Sequence, residues 1–223
     1  MSKLDLTLPV VETFTSIQGE STHAGRLCFF IRLAGCNLKC SYCDTVYGQD
    51  AASGTLQTLG TLLEAAEASG VDLVEITGGE PALHPETPEL AAVLLENGFE
   101  VLMENNGSIL LDKFPRGVKR IIDVKLPSSN MSEYNDPANY ELLHEGDELK
   151  FVTGSFQDFQ WALEWIDRWQ LDNKAGVPLI FSVVFGKVTP EELVQWLLES
   201  QRSNLRFQLQ MHKFIWPPEM RGV

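Results

Sequence analysis

Positive charge is scarce in this sequence. Its 223 residues hold 17 Lys and Arg against 31 Asp and Glu, a formal net charge of −14. A nucleic-acid backbone or an anionic membrane surface is bound by clustered cations, so neither is expected as the main partner. A small anionic substrate remains open, because it needs only a few local positive groups. Long apolar runs are also missing: no stretch approaches the roughly 18 residues that span a bilayer. The opening MSKLDLTLPVVETF has no signal-peptide core, and the expected compartment is the cytoplasm. There is no internal repeat and no low-complexity segment. Cysteine is sparse, with four in the chain. Thiols stay reduced in the cytoplasm, so a cysteine cluster is expected to bind metal or do chemistry rather than form disulfides.

What is present suits one α/β domain over residues 1–223. Apolar residues make up 44% and charged residues 22%, ordinary values for a soluble protein with a core. Apolar, β-branched runs predict strands at 27–34, 72–77, 99–105, 119–125, 148–153, 178–185 and 206–211. Amphipathic patterns predict helices at 58–70, 87–98, 156–169 and 189–200. This alternation means βα units and a mostly parallel sheet. Residues 125–139 read as a loop. The cysteine loop, TGGEP (77–81) and ENNGS (104–108) each follow a strand. They are expected on one face, where the carboxyl ends of parallel strands gather and ligands bind.

The cysteine loop is GCNLKCSYCDTVYG (35–48), a C-x3-C-x2-C pattern of Cys36, Cys40 and Cys43. Structural zinc takes four ligands, normally as two separated pairs. Cys28 is the remaining thiol, but it lies in an apolar strand where an inert buried cysteine is the ordinary reading. His23 and His212 lack zinc-knuckle spacing. Iron–sulfur clusters are held by thiolates, usually four. Three thiolates on a 4Fe–4S cluster leave one iron open for something else.

C-x3-C-x2-C after a strand, with Tyr42 before the last cysteine, resembles the radical S-adenosylmethionine superfamily. ITGGEP (76–81) resembles its glycine motif, in which Gly78 and Gly79 let the backbone approach the cofactor. TSIQGES (15–21), FIRLAGCNLKCSYCDT (30–45) and QMHKFIWPPEMRGV (210–223) narrow the likeness to the 7-carboxy-7-deazaguanine synthase family, from Val11 to the end of the sequence.

This resemblance implies a partial parallel β/α barrel of the radical S-adenosylmethionine type. The implied reaction converts 6-carboxy-5,6,7,8-tetrahydropterin to 7-carboxy-7-deazaguanine with loss of ammonia. The implied cofactors are a 4Fe–4S cluster, S-adenosylmethionine and Mg2+. The implied partners are a flavodoxin or ferredoxin reductant and a second copy of the chain, as a homodimer. Cys36, Cys40 and Cys43 would hold the cluster. Tyr42, Cys43, Asp44, Gly79 and the segment Asp123, Val124 and Lys125 would meet S-adenosylmethionine. Ile17, Gln18, Gly19, Arg32, Thr77 and Pro217 would line the substrate site, with Arg32 on the substrate carboxylate and Thr77 also at the reacting centre. Thr45 would ligate magnesium through its hydroxyl.

Each of these residues also has an ordinary structural reading. Arg32 lies in an apolar strand and must meet an anion there, which could be a structural Glu as well as a substrate. Gln18 could cap a turn, Thr45 could be a helix cap or a turn residue, and Lys125 could be a solvated lysine. Asp44 and Glu20 could be plain loop carboxylates. The chain departs from the family pattern at ENNGS, where Asn105 replaces a Thr, and at DVK (123–125), which replaces a Ser-Pro-Lys. IFSVVF (180–185) replaces a more polar segment. A glycyl-radical-enzyme activase and a non-catalytic zinc or iron–sulfur module are the rival readings. The IQGE segment and the HKFIWPP tail argue against the first. The GGE motif and the full α/β body argue against the second.

Overall fold

The computed structural model describes residues 2–217 and 220–223. One nine-stranded sheet runs through it, in the order β3-β1-β2-β4-β5-β6-β7-β8-β9. The strands are β1 Thr7–Ile17, β2 Leu27–Leu33, β3 Thr55–Thr58, β4 Leu73–Gly78, β5 Glu100–Asn105, β6 Lys119–Asp123, β7 Glu148–Thr153, β8 Leu179–Val183 and β9 Leu205–Phe207. From β2 to β9 all neighbours are parallel. β1 is antiparallel to both β2 and β3. The outermost strands β3 and β9 do not pair with each other, so the sheet is an open, partial β/α barrel.

The helices are α1 Leu59–Ser69, α2 Thr87–Glu96, α3 Phe156–Trp169, α4 Pro190–Ser200 and the short α5 His212–Ile215. Their starts follow local chemistry. Thr58, Ser155 and Thr189 each accept a main-chain N–H of the first turn, and Glu192 completes a capping box with Thr189. α1 ends where Gly70 takes a left-handed conformation at φ 71°. No helix among the described residues is long and apolar enough to cross a membrane.

Side chains alternate across the sheet. Phe29, Ile31, Val74, Ile76, Val101, Met103, Ile122, Leu149, Phe151 and Phe181 face outward. They form one core with Leu62, Leu90, Leu94, Phe159, Ile166 and Leu193 of the helices. The inner face carries a smaller apolar cluster of Cys28, Phe30, Leu73, Leu102 and Ile121. One step further along the same strands the inner face turns polar, at Arg32, Glu75, Thr77, Glu104, Asp123 and Lys150.

Two antiparallel strands, β1 and β3, are absent from the sequence reading. The predicted strand 27–34 is therefore the second in the chain, and TSIQGES (15–21) begins inside β1. The expected strand 206–211 also shortens. The strand ends at Phe207; the N–H of Gln208 still donates to Phe181, and the side-chain amides of Gln208 and Gln210 donate to the carbonyl of Ser21 and the carboxylate of Glu20. The segment 125–139 contains short 3-10 turns at Pro127–Ser129 and Ser132–Tyr134, with a third starting at Pro137.

Candidate active site

A cavity of about 770 Å³ opens at the carboxyl ends of the parallel strands. Its wall includes Ile17, Gln18, Gly19, Arg32, Cys36, Cys40, Tyr42, Cys43, Asp44, Thr45, Thr77, Gly79, Asp123, Lys125 and Pro217. Segments scattered over two hundred residues of sequence are thus brought to one place. Val124 is the exception among the expected residues. Its side chain turns outward into the main core, and its N–H donates to the carbonyl of Lys150. Only its main chain is left to face a ligand.

The cysteine loop is pinned from several sides. The N–H of Gly35 donates to Gly48 and that of Cys36 to Gln49, while Gly35 accepts from Glu80 at 2.8 Å. On the other side, Ser41 donates through its main chain to Ser129 and through its hydroxyl to Ser128. The glycine motif packs against this loop with no room to spare. A Cβ at Gly79 would lie 2.1 Å from the Gly35 carbonyl oxygen, and one at Gly78 would lie 2.3 Å from that of Leu33. Gly78 also has φ 148°, a region that L side chains rarely adopt.

The three thiols share one wall. Burial pushes the thiols of Cys36 and Cys40 above the ordinary cysteine value. They need a bound cation to be held as thiolates, and soft sulfur donors suit iron. Among the described residues no three Cys, His, Asp or Glu side chains converge as a single ion requires. A multi-iron cluster takes each thiolate on its own iron, so a spread set of three fits it. Asn106 adds a donor beside the site, its Nδ2 lying 3.8 Å from Cys36 Sγ. Cys28 stays apart. It is fully buried in the inner apolar cluster, and burial raises its thiol far above the usual value.

Several expected residues turn out to be held by partners. Arg32 Nε donates to Glu12 Oε1 at 2.9 Å, so the strand arginine does meet a structural glutamate. Its terminal amino groups carry no hydrogen bond among the described residues. Gln18 is buried; its amide donates to Glu75, and its oxygen accepts the N–H of Glu20 at 2.7 Å. Lys125 is not a solvated surface lysine: its ammonium sits 2.7 Å from Asp123 and is mostly buried. Thr45 is the turn residue of its two structural readings: its carbonyl accepts the N–H of Gly48 at 2.9 Å, while its side chain caps no helix and its hydroxyl donates to Asp44 Oδ1 at 3.1 Å. Asp44 also accepts from Lys213 of the tail at 2.7 Å. Tyr42 donates its hydroxyl to the Val152 carbonyl at 3.3 Å.

The sequence reading missed a second group of wall residues, Glu75, Glu104, Lys150 and Gln210, with Glu20 taken for a plain loop carboxylate and His212 weighed only as a zinc ligand. Lys150 lies 2.9 Å from Glu20 and 3.3 Å from Asp123, and it also pairs with Glu104. Burial, reinforced by the charge of Glu104, raises the Glu75 carboxyl well above the usual range. Burial raises Glu104 as well, against the pull of Lys150. Their signal was a charged residue at an alternate position of an apolar strand, as in DLVEIT, FEVLMEN and ELKFVT. Of the two histidines weighed as metal ligands, His212 packs over Gly19, whose Cβ would lie 2.6 Å from its Nδ1. His23 sits at the opposite end of the strands, 3.0 Å from Glu100 at the start of β5.

Comparison with known proteins agrees with this geometry. The model of the radical SAM superfamily matches residues 30–199. A 7-carboxy-7-deazaguanine synthase from Chlorobaculum tepidum is 41% identical over 219 residues, covering 97% of each chain. One from Clostridium acetobutylicum is 37% identical, covering 96% of this chain and 98% of that one. The crystal structure of QueE from Escherichia coli superposes with a TM-score of 0.71 at 23% identity, over 92% of this chain and 95% of that one. Streptococcus suis SuiB bound to S-adenosylmethionine shares the fold at a TM-score of 0.53 and 14% identity, over 78% of this chain and 45% of its own. With relatives this similar over nearly their whole length, the chain belongs to the 7-carboxy-7-deazaguanine synthase family of the radical SAM superfamily.

Proposed function

We propose that this chain converts 6-carboxy-5,6,7,8-tetrahydropterin to 7-carboxy-7-deazaguanine, with loss of ammonia, in 7-deazapurine biosynthesis. The observation that carries this reading is the cavity itself. It joins three cysteines of one loop to an arginine that is bonded only through Nε, in a cavity also lined by Glu75 and Glu104.

In this reading Cys36, Cys40 and Cys43 hold a 4Fe–4S cluster, and Tyr42, Asp44, Gly79 and the main chain of 123–125 cradle S-adenosylmethionine. Bound there, the cluster and S-adenosylmethionine would supply one-electron, hydrogen-abstracting chemistry. The protein's part is to position the substrate and keep water out. Glu12 takes Arg32 Nε, which leaves the two terminal amino groups for a carboxylate in a bidentate pair. Gln18, Thr77, Glu75 and Glu104 offer donors and acceptors around a flat polar heterocycle. Ile17, Gly19 and Pro217 shape its edges. The Thr45 hydroxyl, unused as a helix cap, would ligate a magnesium ion shared with the substrate. A cytoplasmic homodimer reduced by a flavodoxin or ferredoxin completes the reading.

The test is anaerobic. Protein reconstituted with iron and sulfide is reduced and given S-adenosylmethionine, magnesium and the carboxylated tetrahydropterin. Mass spectrometry is expected to find 7-carboxy-7-deazaguanine, and Arg32→Ala is expected to raise the substrate KM more than tenfold by removing a charge-assisted contact. A protein that never forms the deazaguanine contradicts the reading.

A further inference from the structure

We infer that Arg221, on the tail, is a second guanidinium for the substrate carboxylate, and that Tyr47 locks it and Arg32 into one anion-binding wall. This inference rests on the proposed function and names a specificity residue for that same site.

The wall is built outward from β1. A bulge between Val10 and Glu12 sets Glu12 directly opposite Arg32 on β2. Glu12 Oε1 then accepts two hydrogen bonds, from Arg32 Nε at 2.9 Å and from the Tyr47 hydroxyl at 2.9 Å. One carboxylate oxygen thus fixes both side chains. The Tyr47 ring supports a third: the Arg221 guanidinium stacks over it, 3.8 Å from the ring centroid. That distance is close packing of a planar cation on an aromatic face. The tail is held here at a second point, since Gly222 lies against Phe14, the ring beneath Arg32. Arg32, Tyr47 and Arg221 all line the same cavity.

The charge pattern says what this wall binds. The net charge of the chain is −14, so an anion must be held by local cations. Lys125, Lys150 and Lys213 of the cavity are each already paired with a carboxylate. Lys187 follows β8, across the sheet from β1 and β2. Arg32 is paired as well, with Glu12, but only through Nε, so its two terminal amino groups and the Arg221 guanidinium beside Tyr47 are the cationic donors at the β1–β2 side. Two planar forks from different elements, lining one cavity beside Tyr47, suit a planar carboxylate.

Pterin fluorescence on the reconstituted protein, with S-adenosylmethionine and magnesium present, tests this by equilibrium binding. The probes are 6-carboxypterin and pterin without the carboxyl group. The wild type is expected to prefer the carboxylated probe. Arg221→Ala is expected to weaken 6-carboxypterin about tenfold and to leave pterin within about twofold, the loss of one partly exposed charge-assisted contact. Arg221→Lys is expected to fall between, because the ammonium lacks the planar fork. Tyr47→Leu, which removes both the stack and the bond to Glu12, is expected to cost more than Arg221→Ala for 6-carboxypterin alone. If Arg221→Ala changes neither probe, or weakens both equally, the inference is overturned and the tail only packs. If the wild type itself does not distinguish the probes, the substrate reading falls first and takes this inference with it.

Discussion

Glu80 accepts the main-chain N–H of Asn106 at 2.6 Å, so one buried carboxylate ties the end of β4 to the end of β5 beneath the cysteine loop. Its second oxygen accepts the N–H of Ala82 at 2.8 Å. The motif glutamate is therefore structural cement as well as a cavity neighbour, and its titration can be followed without any cofactor.

Burial pushes the Glu80 carboxyl up to about 7, against the two N–H donors that favour its charged form. An unfolded glutamate titrates near about 4.3. Because the folded value is the higher one, its contribution to stability is complete below about pH 4 and is lost as pH rises through about 7. Glu80→Gln sets an amide NH2 against a main-chain N–H, which costs about 1–3 kcal/mol, and it removes that pH slope. Denaturant unfolding of the metal-free protein across this range checks both expectations. Parallel slopes for the two proteins would count against the assignment.

Gly79→Ala is expected to destabilise the fold by about 1–3 kcal/mol, since the new methyl meets main-chain oxygen at 2.1 Å rather than a side chain that can move. The displaced Gly35 starts the cysteine loop, so iron retained per chain should fall in parallel. A variant with wild-type stability and iron content would show that the glycine motif and the loop are not in register as described.

The four cysteines should divide cleanly. Cys40→Ala is expected to abolish iron and sulfide binding. Cys28→Ala is expected to leave both unchanged while costing about 1 kcal/mol of stability through lost apolar burial. Metal analysis of reconstituted protein measures the first, and thermal unfolding the second. Loss of iron in Cys28→Ala would mean that the buried thiol is not inert.

Lys150→Met leaves Glu20, Glu104 and Asp123 without their shared ammonium. Removing one partner of a buried charged group costs about 3–5 kcal/mol. Glu20 and Glu104 then favour their protonated forms, while Asp123 keeps Lys125, so the variant should regain stability as pH falls, relative to wild type. Unfolding at about pH 5 and about pH 8 tests the sign. An equal deficit at both would argue that these carboxylates lie open to water.

How far the sequence carries is visible residue by residue. Cys36, Cys40, Cys43 and Gly79 were legible because their chemistry demands fixed types at fixed spacing. The parallel strands and the four longer helices were legible because apolar periodicity records which face is buried. β1 was not, because TLPVVETFTSI mixes polar and apolar residues without clean alternation, and a bulge shifts its register at Glu12. The partner of Arg32 was foreseen as either a glutamate or a ligand. The geometry supplies the glutamate at Nε and leaves the outer fork for more. Glu75, Glu104 and Lys150 stayed hidden because each sits singly among apolar neighbours, and only the curved sheet gathers them. Tyr47 and Arg221 are 174 positions apart in the numbering, and nothing local links them.

One anaerobic measurement tests the central claim most directly: deoxyadenosine and 7-carboxy-7-deazaguanine quantified together by mass spectrometry, for the wild type and Cys40→Ala. The account predicts that the wild type makes the deazaguanine from 6-carboxytetrahydropterin and that Cys40→Ala makes neither compound. Deoxyadenosine from the wild type with no deazaguanine would keep the three-cysteine chemistry and contradict the substrate. Deazaguanine from Cys40→Ala would contradict the role of the cysteine loop itself.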